Sequence, residues 1–389
     1  MFNIRDGKVE NMKKIVIIPD SFKGTMSSQK VCDITSQVIE NYYPEADVYK
    51  IPIADGGEGT VDSYLAAVGG DRVDITVTGP LFDKVSTYYG ILSDGTAVIE
   101  TASSAGLVLV GEAKNPLKTT TFGLGEMMLD AIERKCKKII IGLGGSCTND
   151  GGAGIAAAMG VKFYNKDSNT FVPTGGTLSD IVRVDMSGLY PKVKDIEIIG
   201  MCDVDNPLYG ENGAAYIFGP QKGASNDDVV SLDKQLRHLS ELIKEDLNVD
   251  VSDLPGSGAA GGLGGGLVAF LGARLQTGIE AVLDTVKFEH FAKGADLVIS
   301  GEGSLDGQSL RGKVISGIAK RCRNLDIPFI AIVGNINDDE IRDIYDLGVT
   351  AVFSINRKAL DYEKVKENSE NSLRDTVENL MRYTKRIRR

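Results

Sequence analysis

Histidine is nearly absent from this 389-residue chain: His238 and His290 are the only two. A histidine-based triad or a zinc site is therefore set aside. His238 falls in a helix with a polar face and His290 near a helix start, positions that suit surface or packing roles. The five cysteines (Cys32, Cys136, Cys147, Cys202, Cys322) form no CxxC pair and are odd in number. They read as reduced thiols of a cytoplasmic protein, not as a disulfide framework. Long apolar runs are missing too, since none approaches the roughly 18–20 residues of a membrane span. Residues 1–11 have no apolar core and read as a polar leader, not a secretory signal, with Met12 a candidate natural start. Positive charge is the minority: 43 Lys and Arg stand against 54 Asp and Glu, for a net charge of −11. A nucleic-acid partner would require a basic face, so that class is disfavoured.

What the chain has in quantity is glycine, 46 residues, much of it gathered in loops. The richest loop runs from Gly142 to Gly152 and holds five glycines with Ser146, Thr148, Asn149 and Asp150. The apolar run Lys138-Ile139-Ile140-Ile141 precedes it and an Ala-rich stretch from Ala153 follows, so it reads as a strand-to-helix turn. Such a turn can present backbone N–H groups to an anion at a helix N-terminus. A tight, well-capped turn without any ligand explains the same composition.

The same alternation recurs along the chain. Strands are expected at 15–19 and 48–53, each followed by a polar glycine loop and a helix, as in a parallel doubly wound sheet. After Gly69-Gly70, short strands at 71–77, 85–92 and 96–101 suggest an antiparallel segment opening a second domain. Further strands are expected at 138–141, 196–200, 296–300, 328–333 and 350–355. Apolar spacing at Val229, Leu232, Leu236, Leu239, Ile243 and Leu247 marks one face of a helix. The expected fold class is α/β: a parallel-sheet domain built from both chain ends (12–80 plus 285–389), with a second α/β domain (81–284) inserted. Ligands of such sheets sit beyond the carboxyl ends of the strands.

Two familiar signatures nearly match. Gly256, Gly258 and Gly261 have dinucleotide-loop spacing, but Ser252-Asp253-Leu254-Pro255 before them is a turn and not a strand. Gly307 to Lys313 has P-loop spacing, but Val314 stands where Ser or Thr should hold Mg²⁺. The collective signal is stronger. Asp20, Asp55, Glu58, Asp150, Asp203, Glu302 and Asp306 lie in glycine-rich or turn segments, mostly after strands, with Lys23, Lys222 and Lys313 in or beside them. Singly, each acid reads as a cap or turn residue. Together, carboxylates, lysines and exposed N–H donors are the parts that phosphoryl transfer needs.

The segments carrying these residues are Pro19-Asp20-Ser21-Phe22-Lys23-Gly24, Pro52 to Thr60, Gly144 to Gly152, Cys202 to Leu208, Gly219 to Ala224, Gly258 to Gly264 and Gly301 to Asp306. In that order, over nearly the whole chain, they closely resemble the bacterial glycerate kinase family of the glycerate 2-kinase type. The resemblance implies a Rossmann-like domain with a second domain inserted, and an ATP- and Mg²⁺-dependent kinase acting on D-glycerate. It further implies 2-phosphoglycerate as product, with 3-phosphoglycerate the alternative. Chemical reasoning then distributes the roles. Asp203 is the candidate for orienting and deprotonating the attacking hydroxyl, with Asp306 its rival and Lys23 beside the phosphoryl group. Ser21, Ser146, Thr148, Asn149, Asn206, Lys222, Gly261, Gly262 and Lys313 are candidates for holding substrate or phosphate. Asp20, Asp55 and Asp150 are candidate Mg²⁺ ligands. Small molecules are the expected partners, with no nucleic acid and no membrane; homo-oligomerisation is left open. Two other classes stay in view: a two-lobed small-molecule binding protein, and a nicotinamide dehydrogenase resting on Gly256 to Gly261.

Overall fold

A computed structural model describes residues 12–22, 24–53, 59–305, 313–336, 341–357 and 362–387. Its strands, in chain order, are β1 (Lys14–Ile17), β2 (Asp47–Lys50), β3 (Gly70–Thr78), β4 (Lys84–Leu92), β5 (Thr96–Glu100), β6 (Lys138–Gly142), β7 (Lys162–Tyr164) and β8 (Thr170–Phe171). They continue with β9 (Arg183–Asp185), β10 (Glu197–Met201), β11 (Arg274–Gln276), β12 (Leu297–Leu305), β13 (Phe329–Ile336) and β14 (Ala351–Ser354). The chain divides into two compact units, Met1–Asp55 with Val282–Arg389, and Gly56–Ala281.

The first unit is built on a parallel sheet of order β14-β13-β12-β1-β2. Ile15 pairs with Leu297 on one side and Val48 on the other. Ile15, Val16 and Ile17 are all buried, as expected where helices cover both faces of a parallel sheet. The helix Ser28–Tyr42 starts where the Ser27 side chain accepts from Lys30 N. Its buried Val31, Val38 and Ile39 belong to one apolar cluster with Leu373, Val377, Leu380 and Met381 of the helix Tyr362–Ile387.

The second unit holds a six-stranded sheet of order β11-β10-β6-β5-β4-β3. β11, β10, β6 and β5 run parallel, while β4 and β3 are antiparallel. The expected antiparallel segment is present as β3, β4 and β5, and β5 turns its other edge to β6 in parallel. Ile139, Ile140 and Ile141 of β6 are wholly buried, whereas β3 leaves Asp71, Arg72, Asp74 and Thr76 in water at the sheet edge. The unit's boundaries fall near 55 and 281, against the expected 80 and 284: β3 pairs with β4, and the helix Thr60–Val68 before it packs Val61 and Leu65 on Gly90 of β4, with Val61 N donating to Glu100 Oε1 of β5 at 2.8 Å. An antiparallel trio β8-β7-β9, not anticipated from sequence, packs Phe163 and Val184 into the unit's core. Helix Asn226–Leu247 begins with a capping box of Ser225 and Asp228 and buries Val229, Leu232, Leu236, Leu239 and Ile243, as its spacing predicts.

Candidate active site

The register of the second unit's sheet aligns strand ends. Gln276 pairs with Met201, Met201 with Gly142 and Gly142 with Glu100. The residues just past this row are Thr277, Cys202, Leu143 and Thr101, so four loops open along one carboxyl edge, where parallel sheets bind ligands. The row is zipped by Cys202 N to Gln276 O at 2.9 Å, Leu143 N to Met201 O at 3.2 Å and Thr101 N to Gly142 O at 2.9 Å.

Glycine lets these loops press backbone on backbone. Gly151 N donates to Gly261 O at 3.0 Å and Gly258 N to Asn206 O at 3.0 Å. A Cβ on Gly261 would lie 1.9 Å from Thr148 O, and its φ of +71° is left-handed. Gly262 follows with φ +88°, its Cα side facing Gly151. The Gly256–Gly261 spacing therefore serves contact between loops, and no strand leads into it as a dinucleotide fold requires.

The acids in these loops differ sharply. Asp150 is wholly buried: Oδ2 accepts from Thr121 N at 2.7 Å, Thr121 Oγ1 at 2.9 Å and Gly154 N at 3.2 Å, and Oδ1 accepts from Gly152 N at 3.2 Å. Burial pushes its carboxyl above the usual range, against the pull of those donors. Ile155 N goes to Thr121 Oγ1 at 2.9 Å. The donors at the start of helix Ala153–Ala158 are thereby taken inside the protein, so this helix end does not cradle a phosphate. Asp150 likewise does not fit a Mg²⁺ ligand, because its lone pairs face N–H and O–H groups. Asp203, by contrast, is exposed at the end of β10, and its Oδ1 accepts from Gly278 N at 2.8 Å.

Lys222 is not the exposed point charge that a loop lysine suggests. It is 1% exposed, and Nζ donates to Ser146 Oγ at 2.9 Å and Thr148 O at 2.7 Å. Burial pushes its ammonium down to about 8, while Cys147 and Asp150 pull the other way. Asn206 is half-buried, its Nδ2 donating to Asn212 O at 2.8 Å. Beside these groups lie buried polar atoms with no hydrogen-bond partner among the described residues: both amide atoms of Asn149 and the hydroxyls of Thr148, Ser257, Thr101, Ser104 and Thr277. Orphans of this kind are rare in a folded chain and call for a partner from outside it, water or ligand.

In the first unit, Asp20 lies past β1, largely buried, with Oδ1 accepting from Ser21 N at 2.6 Å. Ser21 is half-buried, and Lys313 precedes the helix Val314–Asn324, capping it through its carbonyl. Lys23, Asp55 and Asp306 lie outside the described residues, as do Glu58 and Gly307 to Gly312. Among the described residues no group of three His, Cys, Asp or Glu could by itself hold a metal ion. Of the expected Mg²⁺ ligands that are described, Asp20 retains suitable chemistry, for an ion that brings most of its oxygen ligands from phosphate and water.

Sequence reasoning missed Thr119, Thr120 and Thr121, all buried, and Ser257. Three consecutive threonines ahead of an apolar helix were the available signal. Thr119 Oγ1 ties Cys147 O at 2.9 Å, so this triplet clamps the Gly144–Gly152 loop from the other side. The histidines do packing work: His238 Nε2 meets Ile181 O at 2.8 Å, and His290 stands edge-on to Phe291. All five cysteines are buried and free. No described helix is long and apolar enough to cross a membrane.

The model of the glycerate kinase family matches residues 15–385. Glycerate 2-kinase of Escherichia coli (strain K12) is 47% identical over 344 residues, covering 88% of this chain and 90% of its own. Glycerate kinase of Halalkalibacterium halodurans is 41% identical, over 95% of this chain and 97% of its own. A solved Salmonella typhimurium LT2 structure described as a glycerate kinase 2 superposes with a TM-score of 0.85 at 41% identity, covering 96% of this chain and 99% of that one. Matched at this identity along nearly its whole length, the chain belongs to the glycerate kinase family and is a kinase enzyme.

Proposed function

We propose that this kinase transfers the γ-phosphoryl group of ATP to the 2-hydroxyl of D-glycerate, giving 2-phospho-D-glycerate and ADP, in the cytoplasm. The observation that carries the reading is Asp203: an exposed carboxylate at a strand's carboxyl end, with one oxygen tied to Gly278 N at 2.8 Å. The name of the E. coli relative, a glycerate 2-kinase, supports the choice of hydroxyl.

In this reading Asp203 orients the attacking hydroxyl and accepts its proton. The transition state is loose, so positioning and charge neutralisation contribute more than the base. Asn206 follows Asp203 on the same loop and helps to seat the acceptor. Lys23 and Lys313 neutralise phosphate oxygens. Mg²⁺, which would be held by Asp20 or Asp55 along with phosphate and water, supplies charge neutralisation to the transferred group. Asp306 is the rival base.

Incubation with D-glycerate, ATP and Mg²⁺, followed by phosphorus NMR, tests this. A 2-phosphoglycerate signal is expected. A 3-phosphoglycerate signal would keep the kinase and re-place the hydroxyl against Asp203, and no product from folded protein would overturn the substrate.

A further inference from the structure

Lys222 presents a physical problem that the proposed chemistry does not yet use. Its ammonium is buried and makes two hydrogen bonds, both to neutral oxygens, and no carboxylate among the described residues lies within ion-pairing distance. An unpaired buried cation is costly, and a methionine of similar length would avoid that cost. The fold nonetheless drives the side chain inward. Gly223 turns with φ +94°, and a Cβ there would sit 2.6 Å from Lys114 O, so the turn Pro220–Lys222 is pressed against Lys114, and Lys222 Nζ reaches Ser146 and Thr148. The two atoms that Lys222 holds flank Cys147 and lead directly to Asn149, whose amide is orphaned on both atoms, and Thr148 adds an orphaned hydroxyl.

We propose that Lys222 is a positioning residue and the counter-charge for the carboxylate of the hydroxy-acid acceptor. From behind, it fixes Ser146 and Thr148 so that the 146–149 segment receives one negative charge. The assignment rests on the kinase reading above and deepens it. Charge matching favours the acceptor over the nucleotide: one buried cation hydrogen-bonded to neutral oxygens, with Asp150 facing it but held by four donors of its own, suits a monoanion, whereas a triphosphate needs several cations or a metal. The titratable groups facing Lys222 are Cys147 and Asp150. Burial pushes the Cys147 thiol up to about 12, so it stays neutral where Lys222 titrates.

The sign of the pH effect separates this role from a plain strut. The folded protein loses the Lys222 proton near 8, whereas the ordinary value is 10.5. Between those values the unfolded chain holds the proton that the folded one has lost, so ligand-free stability rises with pH through that window. Affinity for an anion falls through the same window. The two quantities therefore move in opposite directions.

The test compares the full-length protein with Lys222→Met. The expected result is a glycerate KM raised about tenfold or more, from loss of charge-assisted binding, with the ATP KM nearly unchanged. The variant should melt at or above the wild-type temperature, and the alkaline fall in wild-type kcat/KM for glycerate should vanish from it. A variant that melts lower while both KM values move together would overturn the proposal and leave a strut. Should Lys222→Met fail to fold, calorimetry of D-glycerate binding to the wild-type protein near pH 8, in two buffers of different ionisation enthalpy, decides. Uptake on the order of half a proton is expected there, and no uptake overturns the proposal. A wild-type protein that neither binds nor turns over glycerate would overturn the kinase reading and this inference together. An active wild type with an unchanged glycerate KM in Lys222→Met would overturn the inference alone.

Discussion

The loop after β6 and the loop after β10 look alike in sequence and differ in physics. Each follows a buried apolar strand, and each carries aspartate in a turn with a polar neighbour, Asn149 before Asp150 and Asn206 shortly after Asp203. Asp150 in the first has zero exposure and four donors aimed at it. Asp203 in the second is exposed, with the Gly278 N–H steadying one oxygen. One carboxylate organises its own protein, and the other can meet a substrate. An acid in a glycine-rich turn is therefore not a functional signal by itself. What separates the two is burial and the number of donors: Asp150 is enclosed by Thr121 and the start of helix Ala153–Ala158, whereas Asp203 stays exposed while accepting from Gly278 N at the start of helix Gly278–Thr285.

Exchanging each acid for its amide is the strongest way to break this comparison. Asp203→Asn should lower kcat by about 10²- to 10⁴-fold, the usual worth of a general base, and leave melting nearly unchanged. Near-normal turnover would remove Asp203 as the base and move Asp306 forward. Asp150→Asn should do the reverse. Its new N–H₂ would face groups that donate already, at a cost of at least about 3 kcal/mol when several buried donors lose their acceptor. Urea titration followed by circular dichroism checks this. A stable but inactive Asp150→Asn protein would return Asp150 to the chemistry.

Thr121→Val probes the same contrast more gently. It deletes the hydroxyl that donates to Asp150 and accepts from Ile155 N. A loss of about 1–3 kcal/mol in stability is expected for buried partners left unpaired, with kcat per folded molecule retained. A large fall in kcat at unchanged stability would show that the clamp around the Gly144–Gly152 loop sets catalytic geometry.

Much of the fold was legible because its signals are local. Ile139 to Ile141 and Leu297 to Ile299 announce buried strands, and Val229 to Leu247 announces a helix by spacing alone. β7, β8 and β9 escaped because strands of two or three residues, such as Lys162–Tyr164 and Thr170–Phe171, are too short to show a period. The unit boundary was misplaced for a different reason. Strand β2, glycine loop and helix Thr60–Val68 read as one repeat of the first unit, but the packing of that helix on β4 and β5 is a non-local fact. Glycine and acid content marked loops that follow strand ends, 143–152 past β6 and 202–208 past β10. Burial stayed hidden: nothing local to Asp150 reveals Thr121, 29 residues away, and nothing around Lys222 reveals that it points inward toward Ser146.

The smallest expected effect is the most discriminating for Asp203. Gly278 has no positive φ, so alanine there meets no backbone strain, but its Cβ would stand 3.1 Å from Asp203 Oδ2. That contact is tight enough to displace the carboxylate by a few tenths of an ångström while the N–H it needs is kept. Since misplacing a reacting group by about 1 Å can cost about 100-fold, Gly278→Ala should lower kcat by roughly three- to tenfold. Stability and the ATP KM should hardly move, as measured by thermal melting and initial rates. A carboxylate that acts only as a loop cap would tolerate the shift, so unchanged kcat would place Asp203 with Asp150 as a structural acid and erase the difference between the two loops.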